Sequence, residues 1–346
     1  MPARGRAVKD TFAFGAAAGL GLIADAVLGD PRRGHPVAAF GRCAGAAERL
    51  LWHDDRGRGA LFTAVCVGSA AGAASLAARA LRDRRTASLA LGAAATWAVV
   101  GGTSLAREAA LIGSALTAGD VEAARTRLPH LCGRDPQALD ERQLARAVVE
   151  SVAENTSDAV VGALVWGALA GVPGLVGFRA VNTLDAMVGH RSSHYLRFGW
   201  ASARLDDAVG WPGARLTAAL AVLAGGAPRR ALRVVRRDAS RHPSPNAGPV
   251  EASFAGALGV RLGGTLAYGG RVEQRPVLGE GLREVEVPDV ERAVRLSRRV
   301  TWLALAACVT GRLAWGAIRG SLAGSAREPV RRSGWATAWR SGEVRR

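Results

Sequence analysis

Between Glu154 and Asp207 the chain gathers residue types that handle phosphate, divalent cations and amines, in two groups. The first reads Glu154-Asn155-Thr156-Ser157-Asp158; the second runs from Asn182-Thr183-Leu184-Asp185 to Asp206-Asp207. Arg142, Arg146, Glu150, Glu154 and Asp158 recur every four residues, so on a helix they form one stripe. Arg146 can pair with Glu150, which leaves Glu154 and Asp158 as neighbouring like charges, an arrangement that calls for a cation. With the oxygens of Asn155 and Ser157 beside them, they suit a hard ion such as Mg²⁺. Asn182 and Asp185, three apart, share a helical face. Adjacent aspartates point in different directions on a helix, so at most one of Asp206 and Asp207 serves a given site directly. The plainer alternatives are a solvated acidic helix face for the first group and a helix cap for the last pair.

Two further segments carry candidates. In His242-Pro243-Ser244-Pro245-Asn246-Ala247-Gly248 the two prolines fix the backbone, so His242, Ser244 and Asn246 are held at low entropic cost. Near the N-terminus, DAVLGDPRRGHPVAAFGR supplies Asp25, Asp30, His35 and Arg42. Asp25 falls inside an apolar helix, where a carboxylate is a functional candidate by default. Arg32, Arg33 and Arg42 could hold a phosphate. His190 and His194 lie four apart, but Gly189 is expected to end their helix. Without a third ligand they read as loop histidines close to headgroups or phosphate.

The elements that must position these groups are apolar. Stretches 59–78, 86–106 and 159–178 carry no charge except Arg79 beyond the first and Arg107 beyond the second, and shorter candidates lie at 11–24, 216–228 and 300–318, the last interrupted by Arg312. They are built from Ala and Gly, which lets helices approach closely and keeps the mean hydropathy at only +0.10. Helices are predicted over 11–28, 59–80, 86–117 and, with breaks, 118–158. From 242 to about 290 a Gly/Pro-rich structured loop region follows, with room for a small hairpin. The fold class expected is an all-α integral membrane protein, a multi-span helical bundle. One membrane-embedded domain covers 1–326, and a basic, disordered tail covers 327–346.

The net charge is +17, and Lys9 is the only lysine. The arginines cluster at the ends of apolar spans, at 79–85, 229–241 and 327–346, which fits anionic lipid headgroups rather than a duplex, so no nucleic-acid partner is expected. Four scattered cysteines, Cys43, Cys66, Cys132 and Cys308, form neither a CxxC nor a disulfide framework. Asp25 and Asp30 follow the first apolar segment where a small-residue cleavage site would stand, so that segment is expected to be retained. There is no Walker A sequence, and Gly19-Leu20-Gly21 is too little for a dinucleotide fingerprint.

Five segments in order, DAVLGDPRRGHPVAAFGR, VESVAENTSDAVVGAL, FRAVNTLDAMVGH, FGWASARLDDAVGWPGARL and HPSPNAGPVEASFAGALGVRLGG, resemble the membrane cobalamin-biosynthesis family known as CobD or CbiB, from about residue 20 to 280. The chain departs from the family pattern at Gly210, Trp211-Pro212-Gly213-Ala214, Gly162 and Pro249. The resemblance implies a multi-pass protein of the cell (cytoplasmic) membrane. It implies an adenosylcobinamide-phosphate synthase, which joins aminopropanol or its O-phosphate to a propionate carboxylate of cobyric acid at the expense of ATP. On that reading Glu154, Asp158, Asp185 and Asp207 serve Mg²⁺ or the amine, with Glu154 and Asp158 as the metal pair. Arg42, Arg204 and His242 meet phosphate and developing negative charge, and Asp30, His35, Asn155, Asn182, Ser244 and Asn246 contribute to binding. Partners would be the corrinoid and amine substrates, membrane lipids and other enzymes of the pathway. Two other classes compete: a membrane transporter of a corrinoid or other anion, and a membrane scaffold for late-pathway enzymes.

One geometric demand follows. If 159–178 crossed the membrane as a single rod, the two polar groups would lie on opposite faces and could not share a site. Gly171-Val172-Pro173-Gly174 interrupts it, so a bent or re-entrant pair is predicted that returns Asn182 and Asp185 to the side of Glu154 and Asp158.

Overall fold

The structure, a computed structural model, describes residues 2–30, 34–133, 135–137, 139–268 and 271–325; the expected disordered tail at 327–346 lies outside them. The described residues are almost wholly helical: α1 (Pro2–Leu28), α2 (Pro36–Leu51), α3 (Arg56–Leu81), α4 (Arg85–Val99), α5 (Gly102–Thr117), α6 (Val121–Arg127), α7 (Glu141–Asn155), α8 (Gly162–Val188), α9 (Trp200–Ala224), α10 (Pro228–Asp238), α11 (Ala247–Leu258) and α12 (Pro288–Ser325). A single antiparallel hairpin, β1 (Leu262–Tyr268) with β2 (Arg271–Leu278), sits between α11 and α12. Stretches Val8–Leu28, Arg56–Leu81, Arg85–Thr117, Glu141–Val188 and Pro288–Ile318 are long and apolar enough to cross a membrane. The protein is thus an all-α membrane bundle, and its outer faces carry apolar side chains such as Leu20, Ile23, Val65, Leu76, Leu223 and Ile318.

Small residues set the closest approaches. A side-chain carbon added at Gly21 on α1 would meet the carbonyl of Ala93 on α4 at 2.7 Å, and one at Gly213 on α9 would meet the α-carbon of Gly162 at 2.7 Å. Without hydrocarbon–water contrast to drive helices together, such contacts supply the packing. Lone polar groups are paired across helices: Thr63 with Ser202 at 2.8 Å, and Thr156 with Ser297 at 2.7 Å.

The chain differs from the sequence expectation at three places. First, 86–117 is two helices. α4 stops at Val99, Val100 is extended, and α5 restarts at Gly102. The restart is held by the Asp25 carboxylate of α1, whose Oδ2 accepts from the Thr103 N–H at 3.0 Å and the Thr103 hydroxyl at 2.9 Å. Second, the Gly/Pro-rich region holds a buried helix, α11. Its glycines admit neighbouring backbone: a Cβ at Gly248 would sit 2.3 Å from the Ala239 carbonyl, and one at Gly256 2.5 Å from the Ala231 α-carbon. The high Gly content there serves close helix packing. Third, the apolar segment 216–228 falls mostly in α9, which ends at Ala224 and is not among the five spanning stretches.

α7 and α8 are continuous through a π-helical turn, Thr156–Val161, and α8 carries a break at Gly171 with φ 67° and ψ −153°. Only glycine occupies that backbone region freely. The chain folds back there. Leu175 packs against Gly167, and a Cβ at Gly162 would meet the Phe178 ring at 2.2 Å. In one straight helix residues 162 and 178 would stand about 24 Å apart. The carbonyl of Ala168, freed near the tip, accepts from Arg312 of α12, which also covers the ring of Phe14 at 5.2 Å. The Arg312 that interrupts the last apolar run therefore secures the hairpin tip. The predicted folded-back pair is present.

Candidate functional site

The stripe on α7 divides in two. Its first half anchors the β-hairpin: Arg142 donates to Glu284 at 3.1 Å, Arg146 to the Thr265 carbonyl at 2.7 Å, and the Gly263 N–H donates to Glu150 at 2.6 Å. Arg146 and Glu150 thus hold β1, a use that helix spacing alone does not reveal. The second half, Glu154 and Asp158, faces the returning arm of α8. Asp158 lies within electrostatic reach of Glu154, Asp185 and Asp206, and Asp185 within reach of Glu154 and Asp207. The α7–α8 hairpin and the start of α9 therefore bring the two sequence groups into one acidic cluster.

Asp206 is its centre on α9, outside the five spanning stretches. Its carboxyl is pushed up to about 7, by burial first and then by the charges of Asp185, Asp207 and Glu154, against a hydrogen bond from Asn182 that lowers it. Asp207 faces Arg204 at 3.7 Å while remaining within electrostatic reach of Asp185 and Asp206. Of the adjacent pair, Asp206 is thus the more enclosed member, whereas the sequence reading selected Asp207. Spacing could not separate the two; the direction from which α8 returns decides.

Arg179 is a residue the sequence reading passed over. It donates to Asn182 Oδ1 at 3.3 Å and lies within reach of Asp30 and Asp158, while its Nε has no hydrogen-bond partner. Its signal was available: it is the first charge after the apolar stretch, three residues before Asn182 and so on the same face. Asp30 joins the cluster through Arg179, and His35 stands 3.9 Å from Asp30 while its Nδ1 accepts from the Val37 N–H to cap α2. Arg42 is exposed on α2, next to Gly41, which meets Met187 of α8. Arg32 and Arg33 lie outside the described residues.

Asp185 sits against the end of α8. A Cβ at Gly189 would fall 1.9 Å from Asp185 Oδ1, so glycine is needed there for the carboxylate's position as well as for ending the helix. His190 and His194 do not pair as ligands. Both meet the Tyr195 ring edge-on, at 4.9 and 4.6 Å, and His194 stacks on Trp52 at 4.4 Å. Asn155 turns back to its own helix, donating to the Ser151 carbonyl at 2.9 Å.

The HPSPNAG loop divides its work. Ser244 Oγ accepts from the Ala247 N–H at 3.1 Å and starts α11, a capping role. Asn246 reaches the cluster: it donates to the Asp207 carbonyl at 2.9 Å and accepts from Arg215 at 3.0 Å. A Cβ at position 210 would stand 2.7 Å from Asn246 Nδ2, so Gly210, a departure from the family pattern, makes room for that bond. His242 is turned inward at 7% exposure. Its Nδ1 accepts from the Ser244 N–H at 3.1 Å, and its Nε2 lies 3.7 Å from Glu251 and 3.4 Å from Arg275. Burial, helped by Arg275, holds the imidazole below its ordinary value, against the hydrogen bond with the Ser244 backbone and a smaller pull from Glu150.

The balance of charge decides what the cluster can bind. Asp30, Glu154, Asp158, Asp185, Asp206 and Asp207 face Arg179 and Arg204. Such an excess of carboxylate repels a bare phosphate and favours a divalent cation or an ammonium. Among the described residues no three side chains of His, Cys, Asp or Glu are placed to hold a metal by themselves. Mg²⁺ that accompanies a nucleotide needs only one or two carboxylates, with water and phosphate completing its shell. The hard-oxygen donors Glu154 and Asp158 fit that requirement.

A family profile described as "CobD/Cbib protein" matches residues 18–297. The chain is similar to "Cobalamin biosynthesis protein CobD" of Mycobacterium tuberculosis, 54% identical over 285 residues, which is 81% of this chain and 90% of that protein. Proteins of the same name from Chromobacterium violaceum and Pelobacter propionicus are 42% and 41% identical, covering 86% and 82% of this chain and 97% and 90% of their own. No solved structure matches. The matched residues include every member of the acidic cluster, and the chain belongs to the CobD/Cbib family.

Proposed function

We propose that the protein acts in cobalamin biosynthesis as an ATP-dependent ligase, forming the amide between aminopropanol, or its O-phosphate, and a propionate carboxylate of cobyric acid. The observation that carries this reading is the convergence of the two acidic groups, with Arg179 and Asn182, at the open end of the α7–α8 hairpin. The names of the relatives support the pathway.

In such a ligation the propionate oxygen attacks a phosphorus of ATP, giving a mixed anhydride with loss of diphosphate or ADP. The amine nitrogen then attacks the acyl carbon, AMP or phosphate leaves, and the nitrogen's proton passes to a base. Mg²⁺ would supply charge neutralisation on the phosphates. Glu154 and Asp158 would hold it, and Arg179 would meet the activated carboxylate from inside the cluster. Asp185 and Asp206 lie where they can take the proton that the attacking amine releases, and Asp206, pushed up to about 7, can accept it at neutral pH. Activity in the cell membrane, next to other pathway enzymes, is part of the same proposal.

The test is reconstitution. Purified protein in lipid nanodiscs with cobyric acid, ATP, Mg²⁺ and aminopropanol O-phosphate is expected to yield the amide. Asp158→Asn and Asp185→Asn, tested singly, are expected to abolish it. Wild-type turnover in both variants would remove these roles. Corrinoid uptake into proteoliposomes with no amide formed would establish a carrier instead.

A further inference from the structure

Apart from the acidic cluster, α1, α5, α7 and α12 enclose a cavity of about 370 Å³. Its polar lining is Asp25, Thr103, Ser297, Arg298 and Thr301, with Trp302 beside them. Asp25 is only 4% exposed. Its Oδ2 is satisfied by Thr103, but its Oδ1 is buried and has no hydrogen-bond partner. The first turn of α5 directs the Thr103 N–H at this carboxylate. A buried carboxylate oxygen without a donor costs several kcal/mol unless a cation or donor arrives. Arg298, on the α12 wall of the cavity, makes no ion pair among the described residues. The cavity therefore presents one unsatisfied anion and one free cation, at a size suited to a molecule of several heavy atoms.

The cavity borders the acidic cluster. Ser297 is hydrogen-bonded to Thr156, the first residue of the π-helical turn that carries Asp158. Asp25 also lies within electrostatic reach of Asp30, which in turn meets Arg179.

We infer that this cavity is the amine-substrate pocket: Asp25 takes the primary ammonium of a short amino alcohol, and Arg298 takes the phosphate when that alcohol is phosphorylated. The inference rests on the ligase reading for the identity of the amine, but not for the pocket itself. A zwitterion with ammonium and phosphate a few bonds apart matches the charges on the two walls. The hydroxyls of Ser297 and Thr301 can serve the oxygens between them.

The test is binding, which needs neither ATP nor a corrinoid. The full chain in nanodiscs is titrated calorimetrically with 1-aminopropan-2-yl phosphate, 1-aminopropan-2-ol and propan-2-yl phosphate. Asp25→Asn, which keeps an acceptor for Thr103, is expected to weaken both amines at least tenfold and to leave propan-2-yl phosphate unchanged. Arg298→Gln is expected to weaken the two phosphates at least tenfold and to spare the free amino alcohol. Ala26→Phe, on the exposed lip of the cavity, touches neither charge and is expected to weaken all three; it carries the test if Asp25→Asn fails to fold. Wild-type affinities in the variants, or no amine binding by the wild type, would overturn the pocket. A protein that binds the amine at Asp25 but forms no amide would refute the ligase and leave the pocket standing. One that forms amide with an unchanged amine KM in all three variants would do the reverse.

Discussion

The folded-back α7–α8 pair makes a quantitative prediction at Gly162. An alanine there would place its Cβ 2.2 Å from the Phe178 ring, about 1.2 Å inside ordinary contact at 3.4 Å. The ring cannot swing aside freely, because Phe178 is 4% exposed and packs with Val99, Ala163 and Leu175. Overpacking of this kind costs roughly 1–3 kcal/mol. Phe178→Leu, which shortens the side chain at the point of collision, costs about 1 kcal/mol on its own by lost packing. If the residues meet as described, the double variant is less destabilised than the sum of the singles by about 1–2 kcal/mol, near a tenfold change in the unfolding equilibrium. The cycle can be measured in mixed micelles by titration with a denaturing detergent, with the fluorescence of the nine tryptophans as signal. Additivity within about 0.5 kcal/mol would mean that residues 162 and 178 do not touch. That result would refute the hairpin, and with it the union of the two acidic groups.

Two further predictions concern the cluster. The Asp206 carboxyl is raised to about 7, so the folded state binds this proton more tightly than the unfolded chain, whose aspartate titrates near 4. Its contribution to stability is therefore present at acid pH and is lost as pH rises toward and through 7. Asp206→Asn removes that loss, and the melting temperature of the variant relative to wild type is expected to rise between pH 5 and pH 8; a flat difference would show that neither burial nor the neighbouring carboxylates raise Asp206. Gly189→Ala drives a methyl to 1.9 Å from Asp185 Oδ1, at a half-buried helix end whose backbone (φ −77°, ψ −12°) any residue adopts. Ligation should fall at least tenfold while the melting temperature moves by only a few degrees, and unchanged turnover would separate Asp185 from the reaction.

Much of the site was legible because its residues mark themselves. Carboxylates beside an apolar span, an asparagine and an aspartate three apart, and a glycine–proline interruption at 171–174 each carry a physical meaning that holds without neighbours. The hairpin followed from a topological argument: both groups had to reach one site. What the sequence could not resolve depended on direction. Whether Asp206 or Asp207 faces inward turns on the side from which α8 approaches α9, and no spacing encodes that. His242 was expected to meet phosphate on the family resemblance, whereas the rigid loop aims it at Glu251 and Arg275. The helix α11 was hidden because Gly248 and Gly256 lower helix propensity while permitting close backbone contact, and only tertiary packing reveals the second effect. The break between α4 and α5 had a signal in Gly101-Gly102 that the reading passed over, while the Asp25 carboxylate that holds the restart lies on a different helix.

The two arms of the hairpin run in opposite directions, and this sets what changes in length the chain can accept. One residue added to the outgoing arm between Asp158 and Gly171 would shift Glu154 and Asp158 along the arm by about 1.5 Å relative to Asn182 and Asp185, and rotate them by about 100°. The same addition in the returning arm would move the opposite half of the site. Only paired changes at equal depth, or changes at the Gly171 turn itself, preserve the register between the halves. Insertions and deletions among relatives are therefore expected to collect at that turn, and the arms on either side to keep a constant length.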